Sequence, residues 1–99
     1  MKPEEIGPVI IYARWGCSRC VERFQAFLDD LALLQIVPGK KPFEEMPKML
    51  KEKYPNGPLV VWSGGRYGNA VEFWKWLKLK LSKEEMTMLI ENRRKKRSV

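Results

Sequence analysis

Val9-Ile10-Ile11-Tyr12-Ala13-Arg14-Trp15-Gly16-Cys17-Ser18-Arg19-Cys20-Val21 is the stretch on which the reading of this chain turns. Pro8 to Tyr12 is apolar and β-branched and is bounded by Gly7-Pro8, which predicts a short buried strand. It feeds directly into the only two cysteines of the chain, set in C-x-x-C spacing. Beyond them Val21, Phe24, Phe27, Leu28 and Leu31 recur at three- and four-residue intervals. That period predicts an amphipathic helix from about Cys17 to Leu33, with Glu22, Arg23, Gln25, Asp29 and Asp30 outside. A strand running into C-x-x-C and then a helix is the arrangement used for dithiol–disulfide chemistry.

The physical case for two different thiols follows from position. A thiolate, not a thiol, attacks a disulfide. Cys17 falls where loop becomes helix, so unpaired backbone N–H groups and the positive end of the helix dipole face its sulfur. Arg19, and Arg14 across the loop, add positive charge. Cys20 is one turn further in and is expected to be more buried, with a more ordinary pKa. These positions make Cys17 the nucleophile and Cys20 the resolving thiol. Two alternatives stand beside this: a pair of small buried hydrophobes at a helix start, and metal ligation. Zinc takes four ligands, and the chain has no His and no second cysteine pair, so a zinc site within one subunit is not expected.

Length and composition bound the rest. The chain has 99 residues, enough for a single domain with one modest core. Apolar runs reach about five residues against the roughly 20 needed to span a bilayer. Met1-Lys2-Pro3-Glu4-Glu5 lacks the apolar stretch of a signal peptide, so a cytoplasmic location is expected, with no membrane association. Two cysteines in such a setting suit a working redox pair better than a structural staple. The net charge is +7, and Lys75 to Val99 carries nearly all of it, with nine basic residues against Glu84, Glu85 and Glu91.

Further along, Leu33-Leu34-Gln35-Ile36-Val37 reads either as a second strand stopped by Pro38-Gly39 or as the helix continuing. Phe43 to Tyr54 reads as helical, with Pro47 confined to the first turn and the regular part at about Pro47 to Lys53. Asn56-Gly57-Pro58 is a turn and Leu59-Val60-Val61-Trp62 a buried strand; Ser63-Gly64-Gly65 then leads to a hairpin strand from Arg66-Tyr67. Val71 to Leu81 is expected to be helical, entered at Gly68-Asn69, although Trp74 to Leu81 also alternates in places. Ser82-x-x-Glu85 is a capping-box signature that opens a last helix through Met86, Leu89 and Ile90.

Ile10 to Val21, taken with this order of elements, resembles the glutaredoxins within the thioredoxin-like folds: an apolar strand, Tyr, a short loop, Gly, then C-x-x-C. Gly57-Pro58-Leu59-Val60-Val61-Trp62-Ser63-Gly64 is similar to that family's proline followed by an apolar strand and a Gly turn. Arg66-Tyr67-Gly68-Asn69 is similar to its hairpin strand ending in Gly-Gly. The two blocks cover about a third of the chain, and the element order extends the likeness to about residues 8–81. Three positions depart from the pattern. Ser18-Arg19 replaces Pro-Tyr between the cysteines, Asn56-Gly57 replaces Thr-Val before the proline, and Ala70-Val71-Glu72 leaves one acid where the family holds the glutathione α-amino group with two.

The resemblance implies an α/β thioredoxin-like, glutaredoxin-like fold, a central mixed sheet flanked by helices. An extra C-terminal helix and basic tail over about 82–99 have no counterpart in it. It implies a thiol–disulfide oxidoreductase with catalytic Cys17 and Cys20, and substrate contacts from Trp15, Ser18, Arg19, Gly57, Pro58, Gly68 and Asn69. Asn56-Gly57-Pro58 alone favours an ordinary trans turn proline; the resemblance makes Pro58 cis and facing the cysteines. No cofactor is required. The expected partners are a disulfide-containing protein and, as electron donor, glutathione or a thioredoxin-type reductase. Loss of the proline between the cysteines goes with iron–sulfur binding in the resembled family, so a [2Fe-2S] cluster shared between subunits is an alternative.

Trp15, in the loop beside the cysteines, is expected to present an exposed indole that shields the thiolate or receives a substrate side chain. Trp62, Trp74 and Trp76 are expected in packing. Arg93-Arg94-Lys95-Lys96-Arg97 is read as a solvated, mobile end rather than a nucleic-acid site. A monomer is expected. From a different class, the chain could keep the fold as a binding module and act through its basic end.

Overall fold

The computed structural model describes residues 6–97. Its sheet has four strands: β1 (Ile10–Ala13), β2 (Gly39–Pro42), β3 (Leu59–Trp62) and β4 (Arg66–Gly68), in the order β2-β1-β3-β4. β2 runs parallel to β1, whereas β3 is antiparallel to β1 and β4 antiparallel to β3, so the sheet is mixed. Among the described residues five helices with described bounds accompany it: α1 (Ser18–Glu22), α2 (Gln25–Leu33), α3 (Lys48–Lys53), α4 (Ala70–Lys78) and α5 (Lys83–Arg97), with a 3-10 turn at Phe43–Glu45. These directions and this order fit a thioredoxin-like arrangement.

The strands alternate as a pleated sheet must. Ile11 lies opposite Val60 in the β1–β3 ladder. Both join Ala13 and Trp62 in a buried cluster with Phe24 and Leu31, with Phe73 and Leu77 of α4, and with Leu89 of α5. Phe73 packs edge-on to Trp62 at 4.9 Å and to Phe27 at 5.9 Å, which locks α2 and α4 over the same sheet face. Tyr12 and Leu59, also paired across the ladder, point the other way; Leu59 and Met46 are buried outside that cluster. The turn after β3 has positive φ at both Ser63 and Gly64, with Gly65 N–H donating to Trp62 O at 3.2 Å, the twist a tight hairpin needs.

Three elements differ from the sequence reading. The helix expected from Cys17 to Leu33 is two helices, broken at Arg23-Phe24. Phe24 leaves helical geometry (φ −120°, ψ 19°) to bury its ring edge-on against Trp15 at 5.7 Å, so packing overrides the helical period.

The helix runs on through Leu33, but Leu34 to Val37 is neither strand nor helix. Ile36 N–H reaches back to Leu31 O at 2.8 Å and Gln35 N–H to Ala32 O at 3.0 Å, with Gln35 at φ 62°. This is a Schellman closure that ends α2 and returns Ile36 to the core. The strand comes after Pro38 instead, as the exposed Gly39-Lys40-Lys41-Pro42. An edge strand paired on one side needs backbone partners rather than apolar side chains, so no hydrophobic period marks it.

The later elements follow expectation closely. Pro47 precedes α3 as its N-cap. Asn69 and Glu72 form a capping box at α4, and Ser82 and Glu85 form another at α5. The basic end, read as solvated, continues as helix to Arg97. Arg93 bonds Asp30 of α2 at 2.9 Å, with Asp30 only 4% exposed. Its guanidinium also lies 5.4 Å from the Trp74 ring centroid.

Candidate active site at the Cys17–Cys20 disulfide

β1 delivers the chain to the site. After Ala13 the backbone turns, with Cys17 N–H bonding Arg14 O at 3.0 Å, and α1 begins. Cys17 is the N-cap, in extended backbone geometry, and its Sγ accepts the Cys20 N–H at 3.3 Å. A cysteine sulfur thus occupies the place where Ser or Asp oxygen usually caps a helix. One turn brings the two Cα atoms to 5.2 Å, and the sulfurs are joined as a disulfide. Both cysteines are half-buried; Cys20 is not fully withdrawn into the core as its position suggested, because α1 is short and buries none of its residues.

Cys20 opens into a cavity of about 350 Å³, walled by Arg14, Arg23, Phe43, Gly57 and Pro58. Ala13, Phe24, Asn56 and Ala70 complete it. The Gly57–Pro58 peptide is cis, as the resemblance implied, and Pro58 lines the same cavity as Cys20. Gly57 has φ +34°, and a Cβ there would stand 3.3 Å from the Phe43 ring, so a side chain at this position is strained and crowded against the cavity wall. The Arg14 guanidinium lies 4.3 Å from the Phe43 ring centroid, which holds it at the rim. Arg14, Arg19 and Arg23 are exposed and form no ion pair among the described residues.

The other sequence-derived residues fall in separate places. Ser18 and Arg19 form the exposed first turn of α1. Trp15 is half-buried rather than exposed: its Nε1 donates to Lys41 O at 3.0 Å and to Ile11 O at 3.3 Å, and its ring packs on the core. Two carbonyl acceptors and Phe24 hold the indole down, tying the cysteine loop to β2. Gly68 and Asn69 do not line the Cys20 cavity. Asn69 borders a smaller neighbouring cleft with Tyr54 and the 55–58 turn. Gly68 is buried beneath Glu72, whose carboxylate accepts from Asn69 N–H at 3.3 Å and from the Tyr54 hydroxyl at 3.4 Å. Burial, and then the charge of Glu72, push the Tyr54 phenol above its ordinary pKa.

Arg23, Phe43 and Ala70 line the cavity without having been singled out from the sequence as site residues. Phe43 follows an unrecognised strand and Arg23 sits at an unrecognised helix break, so neither carried a periodic signal. Among the described residues no group of three or more His, Cys, Asp or Glu stands together to hold a metal ion. One chain therefore offers a metal or cluster at most the two cysteine sulfurs within this site.

No protein-family model, curated protein or solved structure matches the chain. Fold and site together define a small α/β protein with a mixed four-stranded sheet and a C-x-x-C disulfide at a strand-to-helix junction, compatible with a thioredoxin-like fold. Among the described residues no helix is long and apolar enough to cross a membrane.

Proposed function

We propose that this chain is a glutaredoxin-like thiol–disulfide oxidoreductase of protein substrates. The observation that carries the reading is the Cys20 N–H directed at Cys17 Sγ, within a disulfide whose inner sulfur opens on a walled cavity. In the reduced protein the same N–H, with Arg14 and Arg19 nearby, favours a thiolate on Cys17. That thiolate attacks one sulfur of a substrate disulfide; the new bond is a mixed disulfide, and the displaced substrate thiolate takes a proton from solvent. Cys20, losing its proton to solvent, then attacks Cys17 Sγ. The Cys17–Cys20 bond forms, the mixed disulfide breaks, and the second substrate thiol leaves. Two electrons pass from the protein dithiol to the substrate disulfide. A low-molecular-weight thiol such as glutathione, or a reductase dithiol, returns them.

Trp15, Ser18, Arg19 and the Gly57-Pro58 turn form the substrate-facing surface in this reading, with Asn69 bordering it and Gly68 buried beneath Glu72 behind it. No bound cofactor is needed, and the protein works as a cytoplasmic monomer. The reading is tested by mixing reduced protein with a peptide disulfide under single-turnover conditions. Cys17→Ser abolishes reduction, whereas Cys20→Ser accumulates a stable adduct of the peptide on Cys17, found by mass spectrometry. A Cys20→Ser protein that forms no adduct points instead to a binding module, and reduction that survives Cys17→Ser overturns the assignment of Cys17 as nucleophile.

A further inference from the structure

Resting on the oxidoreductase reading, we propose that the site selects disulfides carried on acidic polypeptide segments, with an apolar side chain seated in the neighbouring groove. The cavity beside Cys20 presents Arg14 and Arg23 and not one carboxylate among its lining residues. Neither guanidinium is neutralised by an ion pair among the described residues. Arg19 lies exposed between the two cysteines. Burying a substrate against these charges favours carboxylates near its disulfide and disfavours lysines, since like charges brought together oppose binding.

The second half of the inference concerns Ala70. This first residue of α4 walls the Cys20 cavity and also a groove of about 420 Å³ between α2, α4 and α5. Phe27, Val71 and Trp74 make that groove apolar, and Val71 is 61% exposed. Its one carboxylate, Asp30, is already bonded to Arg93. A polypeptide attached through sulfur at Cys17 can cross Ala70 and place an apolar residue there. Nucleic acid carries no sulfur for the covalent step.

The test uses the reduced protein and synthetic peptides of about twelve residues, each with one disulfide. Residues flanking the cysteine are Glu, Gln or Lys, with Leu or Ser further along. Each rate is divided by the rate of the same peptide with dithiothreitol, which removes intrinsic differences in reactivity. The expected result is a rate for Glu peptides about tenfold above Lys peptides at low salt, as electrostatic steering gives, falling towards parity in high salt. Leu peptides exceed Ser peptides, and Val71→Lys removes that gain.

Arg14→Glu combined with Arg23→Glu reverses the charge order. Because the peptide series is read first on the unaltered protein, the outcome does not depend on a variant folding. Equal normalised rates across the series overturn the inference and leave the oxidoreductase reading intact. A preference unchanged in the double arginine variant overturns the assignment to these residues. Failure to reduce any peptide overturns both readings together.

Discussion

At Gly68 the backbone passes so close to α4 that an added Cβ would lie 2.9 Å from Glu72 Cβ and 3.1 Å from its carboxyl carbon. The obstacle is the root of the side chain, which cannot swing away. Glu72 is held there because its carboxylate closes the α4 capping box. Gly68→Ala is therefore expected to lose about 1–3 kcal/mol by overpacking, read as a lower denaturant midpoint at unchanged slope. The position that resembles a ligand-binding glycine thus has a packing reason for being glycine.

Glu85 gives a pH prediction at the same scale. The Ser82 backbone N–H is the largest influence and holds its carboxyl below the usual carboxylate range, against partial burial that works the other way. A folded-state pKa below the unfolded one contributes stability above the unfolded value of about 4.3, which is lost as pH falls through the folded value. Thermal melts between about pH 5 and pH 3 are expected to fall less steeply in Glu85→Gln than in the unaltered protein. Equal slopes would contradict this account of the cap.

Among elements, α5 is anchored by Leu89 in the core and by a polar contact to α2. Arg93 meets the buried Asp30 carboxylate at 2.9 Å. Arg93 itself is about half exposed (54%), so the pair contributes less than a fully buried one, but removing the arginine leaves a charge in the interior. Arg93→Ala is expected to cost about 1–3 kcal/mol, and adding Asp30→Asn should recover part of it, as a double-mutant cycle by denaturation will show. The charge run around Arg93 reads as solvated in the sequence because its partner lies 63 residues earlier on a predicted outside face.

Legibility elsewhere followed the same division. β1, β3 and the Ser82 capping box were readable because apolar periods and Ser with Glu three residues on are local signals, whereas Asn69 was legible only as a helix entry and its box with Glu72 was not. The break at Phe24, the Schellman turn at Gln35 and the exposed edge strand Gly39–Pro42 were not. Each is set by tertiary packing or by backbone pairing to a distant strand, which leaves no local period.

For the whole molecule, the sequence marked the cysteine pair and the turn at Pro58, and the fold brings Cys20 and Pro58 to one cavity. What it did not mark is the wall between them: Arg23, Phe43 and Ala70 come from three different elements and converge only when the sheet closes. The net charge of +7 is concentrated in the last quarter of the chain. The arginines at the disulfide are therefore a local feature, and their effect should depend on substrate charge rather than on overall basicity.

The central claim is that Cys17 is the reactive thiolate and Cys20 the resolving thiol. The measurement that bears on it most directly is alkylation of the reduced protein across pH, with Cys17 and Cys20 followed separately by mass spectrometry. The account predicts that Cys17 titrates at least about one unit below the roughly 8.5 of a free cysteine, with Cys20 reacting later and more slowly. Two thiols that titrate alike near the free value would contradict it.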